Sequence, residues 1–261
     1  MKKRLLSLAL LSLITSCSTL PNPSSVDKLA VSGDANAVLR KSANAQGDPW
    51  KKAKLVKVEY SGEWTDIAIR VQPILTDPGF RKSSIETYQP QRERVQQLHF
   101  GPMGKKEVVL ENRKTRVKRN GVSDTSQETL DSSALVADAY TAFLFGPSWL
   151  LERGRDFKLL GDRSLDGENC TLVAGKISPG LGVAKEDHFI AWISQKSGHM
   201  LRFQFSLNGF ETTRGADVDV VLSDFITTPS GFVFPQQFIE HIQRPIAVKA
   251  HEWRMTSLKT E

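Results

Sequence analysis

From Trp50 to its C-terminus the chain is written mostly in a period of two, which confines it to strands with one buried face. Val56, Val58 and Tyr60 alternate with Leu55, Lys57 and Glu59, and Ile67, Ile69 and Val71 repeat the pattern. Gln96-Leu98-Phe100 and Val108-Leu110 each present one face, with charges between. Further on, Phe189–Ile193 is apolar on both faces, and Leu201, Phe203, Phe205 and Leu207 alternate with Met200, Arg202, Gln204 and Ser206. Val218, Val220 and Leu222, then Phe232–Ile242 and Ala247–Met255, complete the series. Turn dipeptides separate these runs: Asn120-Gly121, Asp166-Gly167, Ser197-Gly198 and Asn208-Gly209. Asn120 and Gly209 are read as positions of positive φ. Pro235 and Pro245 cannot donate to a ladder and mark strand starts or edges. The expectation is a mainly β (α+β) domain of about ten antiparallel strands.

One segment breaks the period. Leu135, Val136, Ala139, Tyr140, Phe143 and Leu144 recur at helical spacing, giving a helix over 131–145 capped by Asp131 or Ser132 and stopped by Gly146-Pro147. A shorter helix is expected from Asp34 to Ala45, ended by Gly47-Asp48-Pro49. A strongly curved antiparallel sheet of this size, an unclosed β-barrel, has a concave face that needs cover, and an apolar helix is its natural lid.

The N-terminus carries a different message. Met1-Lys2-Lys3-Arg4 is a basic stub, and the apolar run Leu5–Ile14 is shorter than the roughly 20 residues a membrane span needs. Ile14-Thr15-Ser16-Cys17 resembles the bacterial lipobox, which implies a signal peptide over 1–16 and lipidation of Cys17, with palmitate among the acyl chains. Ser18 stands where an aspartate would signal inner-membrane retention, so the resemblance implies the periplasmic face of the outer membrane. Residues 17–33, rich in Ser and Pro at their start, are expected to be a flexible tether, with one domain over 34–261.

Composition excludes more than it assigns. Three of the excess positive charges lie in the signal peptide, so the remainder is only mildly basic and no nucleic-acid partner is expected. With Cys17 lipidated, Cys170 has no disulfide partner in the chain and reads as a buried, inert thiol. No Gly-x-Ser-x-Gly or His-Glu-x-x-His occurs, and Ser25-x-x-Lys28 falls beside the tether. His99, His188, His199, His241 and His251 lack metal-ligand spacing, so neither metal nor other cofactor is expected. Asp217 and Asp219 share a face, as a half-solvated strand requires, although an acid pair would look the same. Arg113, Lys114, Arg116, Lys118 and Arg119 make a basic hairpin, suited to edge protection or to lipid phosphates.

The 131–145 helix, the turns at Asp166-Gly167 and Ser197-Gly198, and the phrase Asp187-His188-Phe189-Ile190-Ala191-Trp192-Ile193 before Met200-Leu201-Arg202 resemble the lipoprotein-carrier superfamily of LolA/LolB-like half-barrels. The resemblance runs over about residues 34–255, and members of that family bind acyl chains between sheet and helices. It places the family's lid arginine on no position of this chain. It implies an acyl chain or lipoprotein as ligand, in lipid or lipoprotein transport or sorting, and the membrane itself as partner through the N-terminal lipid. Leu135, Tyr140, Phe143, Phe145 and Trp149 on the helix and its exit, with Trp192, Phe203, Phe205 and Trp253 on strands, are the candidate hydrophobic ligand-binding residues. An envelope hydrolase using a metal or an acid pair, and a purely structural lipoprotein with a filled core, remain as alternatives.

Overall fold

The computed structural model describes residues 20–261 apart from 22, 214, 215, 245 and 246. Residues 1–16, Cys17 and Pro245 therefore lie outside the described residues. Three short helices lead: α1 (Pro23–Leu29), α2 (Ala35–Ala45) and α3 (Pro49–Lys52). Strand β1 (Val56–Trp64) is followed by α4 (Asp66–Val71) and α5 (Pro73–Thr76). A meander follows: β2 (Ser83–Gln89), β3 (Arg94–Gly101), β4 (Gly104–Glu111), β5 (Lys114–Arg119) and β6 (Val122–Asp124). After the long helix α6 (Gln127–Arg153) come β7 (Gly154–Leu165), β8 (Glu168–Ile177), β9 (Asp187–Ser194) and β10 (Met200–Leu207). The last three are β11 (Ala216–Thr227), β12 (Val233–Ile242) and β13 (Val248–Thr260).

All thirteen strands form one antiparallel sheet in the order β6-β5-β4-β3-β2-β1-β13-β12-β11-β10-β9-β8-β7. The first and last strands pair in register from Val56↔Thr260 to Trp64↔His251, across a bulge at Glu59/Tyr60. The two free edges, β6 and β7, are consecutive in sequence, and α6 is the segment between them. A helix cannot join the ladder, so the sheet stays open where α6 is inserted, and α6 lies across the concave face against β3, β4, β5, β7, β10 and β12. It is buried nearly all round, as a core helix must be. The mainly β, unclosed-barrel architecture is as expected, with thirteen strands in place of about ten.

Several local expectations need correction. The long helix begins at Gln127, capped by Ser126, whose hydroxyl accepts from the Thr129 amide, so neither Asp131 nor Ser132 is the cap. Gly146-Pro147 kinks the helix without ending it: Gly146 adopts φ 47° and ψ −125°, away from the helical basin that a following proline disfavours, and helix resumes to Arg153. Ile67, Ile69 and Val71 are helical, in α4, where Thr65 caps the Ala68 amide. Five alternating residues cannot outvote such a cap. Asn120 and Gly121 do turn with positive φ (51° and 84°), as do Asp166 and Gly167 (49° and 86°). Gly209 is not in the left-handed region, and the β10–β11 connection is a longer excursion with a 3₁₀ turn at Glu211–Thr213. Pro235 sits inside β12 opposite Phe225 of β11, two residues before β12 begins to pair with β13 at Gln237.

Within the stretch expected as a tether, Leu20, α1 and Val31 are placed against the domain. Leu20 is buried against Cys170, Leu172, Ala174, Ile190 and Trp192, α1 follows, and the Val31 amide donates to the Leu159 carbonyl at 2.9 Å. The segment finds apolar cover on the sheet's outer face and shields the exposed edge of β7.

Candidate functional site

The space between α6 and the sheet is where the sequence-predicted residues meet. Leu135, Tyr140, Phe143, Phe145, Trp149, Phe203, Phe205 and Trp253 all belong to one buried cluster. The Phe143 ring lies 5.7 Å from Tyr140, 5.9 Å from Phe205, 6.4 Å from Phe203 and 5.7 Å from Phe238. Phe145 sits edge-on to Trp50 at 5.1 Å and to Tyr88 at 5.4 Å. Trp192 departs from this set. It points to the opposite face of β9 into the cluster around Cys170, because Phe189, Ala191 and Ile193 take the inward positions. There its indole N–H donates to Gln204 at 2.7 Å, and Arg202 covers its ring at 4.9 Å.

The interior is largely filled. A cleft of about 50 Å³, room for roughly two waters, remains between α5, α6 and β10–β12. Its lining is amphipathic: Leu75, Leu135, Val136, Phe143, Phe205, Leu207 and Val218 on one side, and Trp64, Arg81, Tyr140 and Glu240 on the other. Larger grooves lie elsewhere, about 530 Å³ beside α1 and β7–β9 and about 510 Å³ around Trp64, Lys249 and Glu252, both bordered by charged side chains.

The polar side of the cleft was not anticipated from sequence. Strand register lines Tyr60, Ser84, His99, Lys106 and Arg119 in one cross-strand row, with Glu86 and Gln97 in the next. Arg81 stands at their head, 2% exposed. Its guanidinium donates to the Leu75 carbonyl on α5 and, at 2.5 Å, to the Tyr140 hydroxyl on α6, while Trp253 also donates to that hydroxyl. The guanidinium lies 4.9 Å over Trp64 and 5.3 Å over Tyr140, and His251 stacks on Trp64 at 3.8 Å. Glu86 accepts from Ser84 at 2.9 Å and from Tyr88; Lys106 pairs with Asp77 at 2.7 Å. The available sequence signal was the alternate polar residues Ser84 and Glu86 in β2 and Gln97 and His99 in β3, but Leu98 and Phe100 on the other face of β3 looked the better core.

Burial sets the ionisation here. It holds His99 and His251 well below the usual imidazole range, helped in each case by Arg81, so both are neutral at physiological pH. It raises Glu86 against the pull of Tyr88, Ser84, Gln97 and Arg81, and pushes Glu240 up to about 7 with Arg81 acting the other way. A raised carboxyl costs stability at high pH. Below its ordinary 4.5 both folded and unfolded chains are protonated; above that only the unfolded chain gains by ionising, until the folded group follows near 7. Glu240→Gln is therefore expected to stabilise the protein by roughly 2–3 kcal/mol at pH 8 and hardly at all at pH 4, read from denaturation at the two pH values. Equal effects at both would show Glu240 ionising as it does in water.

The other singled-out residues are committed structurally. Asp217 and Asp219 are 3% and 2% exposed, not solvated as expected. Asp219 is gripped by Arg202 (Nε–Oδ1 2.6 Å) and Gln243 (3.2 Å), and Asp217 by Arg244 (Nε–Oδ2 2.5 Å). Arg113 donates to the Gly182 carbonyl at 2.6 Å and Arg119 pairs with Asp124 at 3.2 Å, so both ends of the basic hairpin are tied into the fold. The Cys170 thiol is buried and pushed up to about 11, chiefly by burial and secondly by Glu168. Among the described residues no three His, Cys, Asp or Glu side chains are placed to hold a metal ion.

No protein-family model matches the chain, and no curated protein matches it either. Solved structures do match in fold. A LolA superfamily protein from Nitrosomonas europaea superposes with a TM-score of 0.50 at 13% identity, covering 88% of this chain and 94% of that one. A DUF1329 family protein from Desulfovibrio piger gives a TM-score of 0.52 at 10% identity over the same shares. The fold is that of LolA superfamily proteins.

Proposed function

We propose that this chain is a non-catalytic envelope lipoprotein that binds an acyl chain, of a lipid or of a lipoprotein, between α6 and the concave face of its sheet. The observation carrying this reading is the cleft itself: an aromatic-lined space between a core helix and an open sheet, ending at a polar corner where α5 and α6 are tied together by Arg81. A C16 chain would gain on the order of 10 kcal/mol gross from burial, before the costs of ordering and of displacing α5 or α6. In the closed arrangement described here the cleft is far too small for such a chain, so binding requires α5 and α6 to separate and the Arg81 bonds between them to break. The LolA-type fold supports the reading by analogy of architecture. The hydrolase alternative loses its acid pair, since Asp217 and Asp219 are each held by an arginine.

The anchor belongs to the same proposal: lipid on Cys17, and the periplasmic face of the outer membrane as the site of action. Two measurements test it. Protein purified from membranes is expected to carry an acyl lipid, separable from its anchor and identifiable by mass spectrometry, and to bind a fluorescent acyl probe at one site. Absence of both would leave a structural lipoprotein with a filled core. Cys17→Ser is expected to stop incorporation of labelled palmitate; continued labelling would remove the lipid anchor from the reading.

A further inference from the structure

The polar end of the cleft holds a buried guanidinium, that of Arg81, whose nearest carboxylates, Glu86 and Glu240, feel its charge without touching it. Arg81 is buried, and among the described residues no carboxylate lies within ion-pair distance of it. Buried charges are normally paired, because removing an unpaired ion from water costs several kcal/mol. Two of its N–H groups are taken by Leu75 and Tyr140, and the faces of Trp64 and Tyr140 supply part of the missing solvation. Its Nε–H has no acceptor, and neighbouring groups are in the same state: Trp64 Nε1, His251 Nε2 and His99 Nδ1 are buried without a hydrogen-bond partner. His99 and His251 are each 1% exposed, so solvent does not serve them from outside. Buried polar groups left unmade are rare one at a time, and the Arg81 Nε–H with three more beside it calls for an occupant.

We propose that this corner is a head-group site, and that the ligand is a single-chain amphiphile with an anionic oxygen head, a free fatty acid being the simplest. The carboxylate would pair with Arg81 and accept from Trp64 Nε1–H, with the imidazole of His251 stacked behind Trp64, while the chain follows Val136, Phe143 and Phe205 along α6. Glu240 lines the same cleft and would oppose an anion if ionised, and Glu86 is close enough to feel Arg81. Burial favours the protonated form of both, which lessens that opposition near neutral pH. The inference rests on the acyl-binding reading and adds the chemistry of the head.

The test compares palmitate with methyl palmitate and hexadecanol, which share the chain and lack the charge, by displacement of one fluorescent acyl probe. Wild-type protein is expected to bind palmitate at least tenfold more tightly than either neutral analogue. In Arg81→Gln that ratio is expected to fall towards one. Trp64→Phe and His251→Phe, which remove the polar nitrogen and keep an aromatic ring, are expected to reduce it by several-fold each, and they decide the matter if Arg81→Gln does not fold. Equal affinity for the three ligands in the wild type would overturn the head-group site while leaving acyl binding standing. A palmitate preference that survives all three substitutions would also overturn it. Failure of every ligand to bind would remove the acyl-binding reading itself.

Discussion

Phe143→Ala is expected to destabilise the protein by about 3–5 kcal/mol, the range for emptying an aromatic position in a packed core. The Phe143 ring is 1% exposed and lies within 6.4 Å of four other rings, those of Tyr140, Phe203, Phe205 and Phe238. These come from α6, β10 and β12, so the ring ties the helix to the sheet, and no neighbour can collapse into the void without moving a whole element. Urea denaturation of the variant measures the loss. A cost under about 1 kcal/mol would mean that α6 sits loosely on the sheet and that its aromatic face is free for ligand at little structural expense. The variant also enlarges the cleft that Phe143 lines, so probe affinity measured on the folded fraction reports ligand contact separately from folding.

Arg202→Ala is expected to cost a similar 3–5 kcal/mol, by a different route. Asp219 is 2% exposed and its carboxylate is held in a two-pronged grip by the Arg202 guanidinium. Truncating Arg202 leaves that carboxylate buried with Gln243 as its remaining side-chain donor among the described residues, and uncovers the Trp192 ring. The double variant Arg202→Met with Asp219→Leu removes the orphaned charge together with its partner, and should recover most of the loss, since an apolar pair of similar volume often matches a buried ion pair. A double-mutant cycle in urea reads both quantities. If the two single losses simply add, the pair is not coupled and the burial of Asp219 has another cause.

Legibility in the sequence followed the range of each interaction. Asp34, read as the start of a helix, accepts from the Ala37 amide at 2.9 Å and caps α2. Asn120-Gly121 and Asp166-Gly167 turn as read, because left-handed backbone is a property of the residues in the turn. Misreadings came where short signals competed. Thr65 fixes α4 through the Ala68 amide and through its own donation to the Lys249 carbonyl at 2.8 Å, the latter a contact from 184 residues away. Gly146-Pro147 reads locally as a stop, and the helix continues past it because Trp149 and Leu150 are buried beneath the sheet.

By itself the sequence determined the period of the strands, the one long apolar helix among them, and therefore an open antiparallel sheet with a helix as its cover. These follow from side-chain spacing and turn chemistry, which act over a few residues. Only the tertiary structure decided which face of each strand is inside. In β3 the sequence reads Gln96-Leu98-Phe100 as one face, and the structure buries the other, Val95, Gln97 and His99. Hydrophobicity alone favours Leu98 and Phe100 for the core. The inward choice is made by register, which sets His99 beside Ser84 and Lys106 and lines the row that runs up to Arg81. The polar corner of the cleft was invisible for the same reason. Arg81, Tyr140, Glu240 and His251 are spread over 170 residues of chain, and only the closing of β1 onto β13 brings them around one charge.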